Sequence, residues 1–252
     1  MANLGLVGRA YKELFEDWTG ADNIGTAVAD GLLWLNSSDG GNTAFAIVAD
    51  SQGPIVQGAT DGTDDDMIEL GYHLLTWSAQ HGELYMEARV KISVGAVASG
   101  SFTVGFNDDV LEDSNAMPVT LSGTTFTSNA TTFIGVVYDG AATNADAHAF
   151  WVDDDADASV AISALRFVGV APILDEWFGV AIRLTDAGSG NQVIAEISVA
   201  EESTGKYAQR RFSATIDRDA LLTPHISMQN SGAVAHTFEI DYVYARQSRS
   251  AT

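Results

Sequence analysis

The chain has 252 residues, 34 acidic against 12 basic side chains, a formal charge of -22, 46% apolar residues and no cysteine. Such a charge excludes recognition of nucleic acid through phosphates, which needs clustered lysine and arginine. The missing cysteine excludes disulfides, thiolate metal sites and a cysteine nucleophile, and the apolar share excludes general disorder.

The length suits a single large sheet domain. At its start, Tyr11, Leu14, Phe15 and Trp18 fall three and four apart and Gly20 follows, which predicts a short N-terminal helix capping one end of the domain. Arg9 and Lys12 would point elsewhere on that helix, preceded by an arm that carries Leu4 and Leu6. No positive charge precedes a long apolar core, so a secretory signal is not expected. No apolar run approaches about 18 residues, so no membrane segment is expected either. Synthesis in a host cytoplasm is the matching expectation.

Two short apolar strands, GLLWLN (31–36) and TAFAIVA (43–49), are separated by a turn cluster, and the acidic segment TDGTDDD (60–66) is expected to be a loop. From Gly82, Leu84, Met86, Ala88, Val90 and Ile92 alternate with Tyr85, Glu87, Arg89 and Lys91, the pattern of a half-buried strand. A Gly/Ala/Ser turn follows, and Phe102, Val104 and Phe106 resume the alternation, which predicts a hairpin. After an exposed loop at 107–115 come strands near 132–138, 147–152 and 159–170. A second hairpin joins WFGVAIRL (177–184) to QVIAEISV (192–199). Strands near 206–216 and 224–230 precede HTFEIDYVY (236–244), where Phe238, Ile240, Tyr242 and Tyr244 are expected on one face. The expected organisation is an arm and helix at 1–18, a β-sandwich at 19–245 and a tail at 246–252 carrying Arg246 and Arg249.

Charge is unevenly placed. Residues 13–165 hold 24 acidic side chains against Arg89 and Lys91, whereas 166–252 hold 10 against 8 basic ones. A solvated acidic surface explains this most simply, and the sharper alternative is that the less acidic C-terminal part faces an acidic partner.

The segments LFEDW, ELYMEARVKI, FTVGFNDD, WFGVAIRLTD, NQVIAEISV and FEIDYVYARQ, in this order, resemble the concanavalin A-like lectin/glucanase and laminin-G type of domain. The resemblance implies an all-β, two-sheet antiparallel jelly-roll sandwich of about twelve strands. Members of that group include lectins, carbohydrate-binding modules, glycan hydrolases and virion proteins of tailed phages, so fold alone does not choose among functions.

Hydrolases of the group share E-x-D-x-x-E. The nearest match, Glu239-Ile240-Asp241-Tyr242-Val243-Tyr244, has Tyr in place of the second Glu. Glu239 and Asp241 lie roughly 6.7 Å apart along a strand, within the range glycosidase carboxyls use, but solvent-facing strand carboxylates are the commoner case. Glu83 and Glu87 are separated by roughly 13 Å, too far for a retaining pair, and Arg89 and Lys91 beside them suggest cross-strand charge pairing. The resemblance to laminin-G domains implies that the clusters Asp61, Asp64, Asp65, Asp66 and Asp153, Asp154, Asp155, Asp157 could supply oxygen ligands to calcium, but neither has the glycine and glutamate spacing of a calcium loop, so acidic turns are expected first. The five histidines show no ligand spacing, and no acyl-transfer, phosphate-loop or dinucleotide motif occurs. Trp34, Trp77, Trp151 and Trp177 lie in apolar runs, so core packing is expected before sugar stacking.

The expectation is therefore a non-enzymatic virion protein, a decoration or cement protein on a tailed-phage capsid, without catalytic residues, metal or cofactor. It would bind the major capsid protein or sister copies as a homo-oligomer, through Leu4, Leu6, Arg9, Lys12, Arg246 and Arg249. A carbohydrate-binding, lectin-like module is the alternative, and a glycan hydrolase the more remote one.

Overall fold

The computed structural model describes residues 11–19, 24–25, 34–50, 53–112, 116–153, 163–188 and 192–248. Sheet one has the spatial order β16 (Lys206–Ala214), β15 (Val193–Glu201), β14 (Phe178–Asp186), β7 (Leu84–Val94), β18 (Thr237–Ser248), β5 (Gly53–Ala59) and β4 (Thr43–Asp50), with β1 (Tyr11–Glu16) also beside β18. Sheet two has the order β13 (Ser163–Arg166), β12 (His148–Val152), β11 (Phe133–Asp139), β8 (Gly100–Asn107), β17 (Thr223–Asn230), β6 (Met67–Tyr72), β3 (Trp34–Ser38) and β2 (Ile24–Gly25). A hairpin of β9 (Val119–Ser122) and β10 (Thr125–Ser128) forms a separate two-stranded sheet that packs on the outer side of sheet two. Apart from the short parallel contact of β2 with β3, neighbouring strands run antiparallel.

The alternating residues of sheet one put Leu84, Met86, Ala88, Val90, Val180, Ile182, Leu184, Ala195 and Ile197 into the space between the sheets, where they meet Ile68, Leu70, Phe102, Val104, Val136 and Ile226 from sheet two. Each such large side chain contributes about 1.5–3 kcal/mol on leaving water. The predicted hairpin of β14 with β15 forms in this register, Val180 opposite Val199 and Ile182 opposite Ile197.

The predicted hairpin between 82 and 106 does not form. β7 pairs with β14 and β18 in sheet one, while β8 pairs with β11 and β17 in sheet two, so residues 95–99 carry the chain from one layer to the other. The two strands differ in a way that fits this crossing. β7 is buried on alternate residues, whereas every residue of β8 is buried. The outer side of sheet two is covered by a second apolar cluster, Val119, Leu121, Phe133, Val137, Phe150 and Val152, with Phe126 packed against it.

The N-terminal helix is also corrected, since Tyr11–Glu16 is strand β1, antiparallel to the end of β18 with Leu14 opposite Ala245. Leu14, Glu16 and Trp18 are buried and Phe15 is exposed, which is period two; the three-and-four spacing arose in a segment too short to separate the periods. β18 is joined to β5 through Thr237–Ile240 and to β1 through Val243–Ser248, on the side away from β7, so β1 occupies the edge that β5 leaves free. The last strand therefore runs through Arg246 to Ser248, three residues assigned above to the tail.

β18 also contains an irregularity. Ile240 lies opposite Val90 but Tyr242 lies opposite Arg89, so Asp241 is an extra residue, a β-bulge. Phe238 and Ile240 point inward before it and Val243 and Ala245 after it, whereas Tyr242 and Tyr244 are only half-buried. The expectation that both tyrosines share a face with Phe238 and Ile240 is thus overturned.

Candidate functional site

The outer face of sheet one is open, and three cross-strand rows define its chemistry. One row reads Arg211, Glu196, Arg183, Tyr85, Arg246, Glu13, each residue opposite the next. The second reads Gln209, Ser198, Ala181, Glu87, Tyr244, Phe15, and the third Tyr207, Ala200, Gly179, Arg89, Tyr242. Small residues in the middle of the last two rows leave a low floor, with aromatic rings standing at both sides.

On the β7–β18–β1 side, ring centroids lie 5.9 Å apart for Tyr85 and Tyr244, 6.3 Å for Tyr244 and Phe15, and 6.4 Å for Phe15 and Tyr242. Phe15 is 60% exposed, and with its three tyrosine neighbours it makes a contiguous exposed aromatic patch. The hydroxyls are fixed from below, Tyr85 donating to Glu87 Oε2 at 2.7 Å, Tyr242 to Glu87 Oε1, and Tyr244 to Glu13 Oε1 at 3.0 Å. Burial, then the hydrogen bond to Glu87, pushes the hydroxyls of Tyr85 and Tyr242 above the ordinary phenol range, so both stay neutral donors.

Beside the rings, the Arg246 guanidinium sits 5.3 Å from the Tyr85 centroid and 3.4 Å from Glu83, while Arg183 approaches Glu196 at 3.5 Å and Glu83 at 3.8 Å. A hollow of about 180 Å³ opens here, lined by Glu83, Arg183, Thr185, Ile194, Glu196 and Arg211. Further along the same face, Arg89 and Lys91 stand over the Trp177 ring at 4.6 and 4.7 Å. Arg89 grips Glu202 with two nitrogens at 2.9 and 2.7 Å and Asp241 at 2.7 Å, and Lys91 grips Glu239 at 2.8 Å and Asp175 at 3.2 Å.

These contacts place the sequence candidates. Glu239 and Asp241 are each held by a cation, and Glu239 also accepts a hydrogen bond from Gln57 at 3.0 Å. The expected pairing of Glu83 and Glu87 with Arg89 and Lys91 does not form: Glu83 meets Arg183 and Arg246 instead, and Glu87 accepts from the hydroxyls of Tyr85 and Tyr242. Trp34 and Trp77 are fully buried, and Trp151 stacks on Phe212 at 4.3 Å. Trp177 lies half-buried beneath its two cations. Lys12 Nζ sits 4.0 Å from the Trp77 centroid and bonds the Thr76 hydroxyl, and burial lowers its ammonium to about 8. Lys12 and Arg246 are thus engaged within the sandwich, while Leu4, Leu6, Arg9 and Arg249 lie outside the described residues.

Of the acidic clusters, Asp154, Asp155 and Asp157 lie outside the described residues, and Asp153 accepts the Asp217 backbone N–H at 3.2 Å. Asp61 and Asp66 share a hydrogen bond, which together with burial raises the Asp66 carboxyl to about 6. Among the described residues no three acidic or histidine side chains converge as a metal site would require. Asp64 and Asp65 line a polar groove of about 470 Å³ at one end of sheet two, with Asp139, Ser101, Asn230 and Ser231.

Sequence reasoning missed Phe15, Tyr85, Tyr242 and Tyr244 as a group. Tyr85 alternates outward in plain view, but Phe15 needed β1 to be a strand and the other two needed the bulge.

No protein-family model matches the sequence, and no curated protein is similar to it. Solved structures are similar over nearly the whole chain. Peanut lectin aligns with a TM-score of 0.56 at 9% identity, over 96% of this chain and 99% of its own. Lectin I from Ulex europaeus, in complex with the methyl glycoside of α-L-fucose, aligns with a TM-score of 0.56 at 12% identity, over 95% and 99%. The CBM2 module of the evolved Dit of Lactobacillus casei BL23 phage J-1 aligns with a TM-score of 0.53 at 12% identity, over 98% and 100%. At such identities the likeness is one of fold, and the chain is an all-β, two-sheet sandwich of the lectin kind.

Proposed function

We propose that this chain is a non-enzymatic glycan-binding module carried on a phage particle, and that it holds a neutral sugar chain across the outer face of sheet one. The observation that carries this is the group of outward rings Tyr85, Tyr244, Phe15 and Tyr242, set beside hydrogen-bonding carboxylates and guanidinium groups. The C–H face of a pyranose stacks on an aromatic ring, while its hydroxyls both donate and accept, so a surface of rings rimmed by Glu and Arg meets both demands. Arg89, Lys91, Arg183 and Arg246 are each ion-paired, so the face offers them as hydrogen-bond donors more than as free charges for an acidic glycan. The lectin-like fold supports the binding class, and the full-length likeness to a phage module supports a place on the virion.

The test is a glycan array probed with the wild type and with Phe15→Ser. Neutral glycans bound by the first and lost by the second are expected. An empty array at millimolar ligand overturns the proposal.

The second reading is a capsid decoration or cement protein, with the major capsid protein or sister copies as partners in a homo-oligomeric array. The same phage likeness favours it, together with the exposed Phe15. Stoichiometric co-sedimentation with capsids stripped of the chain, unaffected by competing sugar, would select it over glycan binding.

A further inference from the structure

A different part of the molecule holds a set of buried ionisable groups that the glycan site does not use. The segment Asn107–Glu112 (NDDVLE) leaves β8 and folds back over the outer side of sheet two. Its Val110 carbonyl rests on the backbone of β6 at Gly71, where a Cβ would lie only 1.7 Å from that oxygen. Glu69 Oε2, from β6, accepts the backbone N–H of Glu112 at 2.9 Å and faces His225 Nε2, from β17, at 3.1 Å. The Asn107 amide donates to Glu112 Oε1 at 2.6 Å and to the Asp109 carbonyl at 2.9 Å. Glu69, Asn107 and His225 are fully buried, and Glu112 is 8% exposed.

The cluster is rich in buried acceptors. Glu69 Oε1, Asn107 Oδ1 and Asp108 Oδ1 are buried acceptors without a donor, and His225 Nδ1 is also without a partner. Acceptors so deeply buried are costly to leave without donors, so the protonation state of the cluster bears on how firmly the loop is seated. The charged groups facing Glu112 are His225 from β17, Glu69 from β6 and Asp109 from its own loop. An ionised Glu112 places a buried negative charge next to the Glu69 carboxyl and Asp109, with the His225 ring facing it as well. A protonated Glu112 adds no charge and brings an O–H to a region rich in acceptors.

We propose that Asn107–Glu112 is a proton-held latch: with Glu112 protonated the loop lies shut on β6 and β17, and ionisation of Glu112 lets it lift. Burial first, against the opposing influence of His225, holds the Glu112 carboxyl at about 7, above its ordinary 4.5. The sign follows from that elevation. Closure is fully favoured below 4.5 and weakens as pH rises through 7.

Hydrogen exchange of the intact chain tests this, with peptides covering residues 107–112 followed at pH 5.5 and 8.5 and corrected for intrinsic rates. Linkage from 4.5 to about 7 predicts that protection of the Glu112 amide falls roughly 30-fold between those pH values, while peptides from β14 and β15 stay flat. Glu112→Gln, which mimics the neutral acid, is expected to stay protected at both. Protection of the wild-type loop that does not change with pH overturns the latch, as does the same pH-dependent loss in E112Q. Should E112Q fail to fold, the carboxyl ¹³C titration of Glu112 in the wild type decides, and a midpoint below pH 5 overturns the proposal.

Discussion

Tyr244 stands at the centre of the aromatic group, between Phe15 at 6.3 Å and Tyr85 at 5.9 Å, and Tyr244→Ala removes both contacts at once. Aromatic pairs contribute about 0.5–1.5 kcal/mol each beyond burial, and at a half-exposed position their sum should fall near ~1 kcal/mol of unfolding free energy. The backbone pairing of β18 with β1 and β7 persists, so the variant folds. A ring at the centre of a binding face typically carries ~2 kcal/mol of affinity, roughly a 30-fold rise in Kd. Titration calorimetry with the best glycan from the array measures the second quantity, and urea unfolding the first. Tyr244→Phe is the control: it keeps the ring and loses the bond to Glu13, so its affinity should stay close to wild type. The stacking explanation is refuted if Y244A binds as well as wild type, or if Y244F loses as much as Y244A.

Three further outcomes follow from the packing and ionisation. Gly135→Ala places a Cβ 2.3 Å from the Val104 carbonyl and 2.7 Å from Gly105 Cα on the neighbouring strand, and backbone cannot give way as a side chain can, so a loss of about 3 kcal/mol is expected in urea unfolding. Glu239→Gln removes one of the two carboxylates that hold Lys91, and should cost about 1–2 kcal/mol while leaving glycan affinity unchanged; loss of a measurable glycan hydrolysis would instead restore the hydrolase reading. Asp66, whose carboxyl is raised to about 6 by its bond to Asp61 and by burial, loses its proton as pH climbs through that value, and stability is lost with it. Asp66→Asn should therefore gain Tm relative to wild type on going from pH 4.5 to 7.5, and a difference that does not change with pH refutes the shared proton.

Alternation along β7, β14 and β15 was legible because one face of sheet one meets solvent, so polar and apolar residues must take turns. Partner choice was not. A half-buried strand followed by a small-residue turn looks the same whether the chain doubles back in one sheet or crosses to the other, and only three-dimensional burial separates β7 from β8. The outward tyrosines were hidden for another reason. Phe238, Ile240, Tyr242 and Tyr244 keep perfect period two in the sequence, and nothing in those letters announces that Asp241 breaks the count. Glu69 and His225 lie 156 residues apart, so their pairing leaves no local trace at all. Arg89 and Lys91 were legible as charge partners from their position on an outward face, but their acids are not the neighbouring Glu83 and Glu87: two come from β18 and two from loops.

The bulge at Asp241 is the point where fold and proposed function meet. It falls where β18 exchanges one neighbour for another, paired with β5 through Ile240 and with β1 from Val243 onward, so the extra residue sits in the gap between two partners and disrupts neither. Ahead of it, Phe238 and Ile240 fill the core; behind it, the smaller Val243 and Ala245 do so, opposite Glu16 and Leu14 of β1. Without the inserted residue Tyr242 and Tyr244 would be driven into a core already filled to contact, at the cost that overpacking exacts, and Val243 and Ala245 would face water. With it, both rings turn outward and reach the exposed Phe15. A strand end that could have been an ordinary edge thus becomes a ring platform, and its position, β18 flanked by β7 and β1, fixes the rings on paired backbone rather than on a loop, which is the rigidity that recognition of a weakly binding sugar requires.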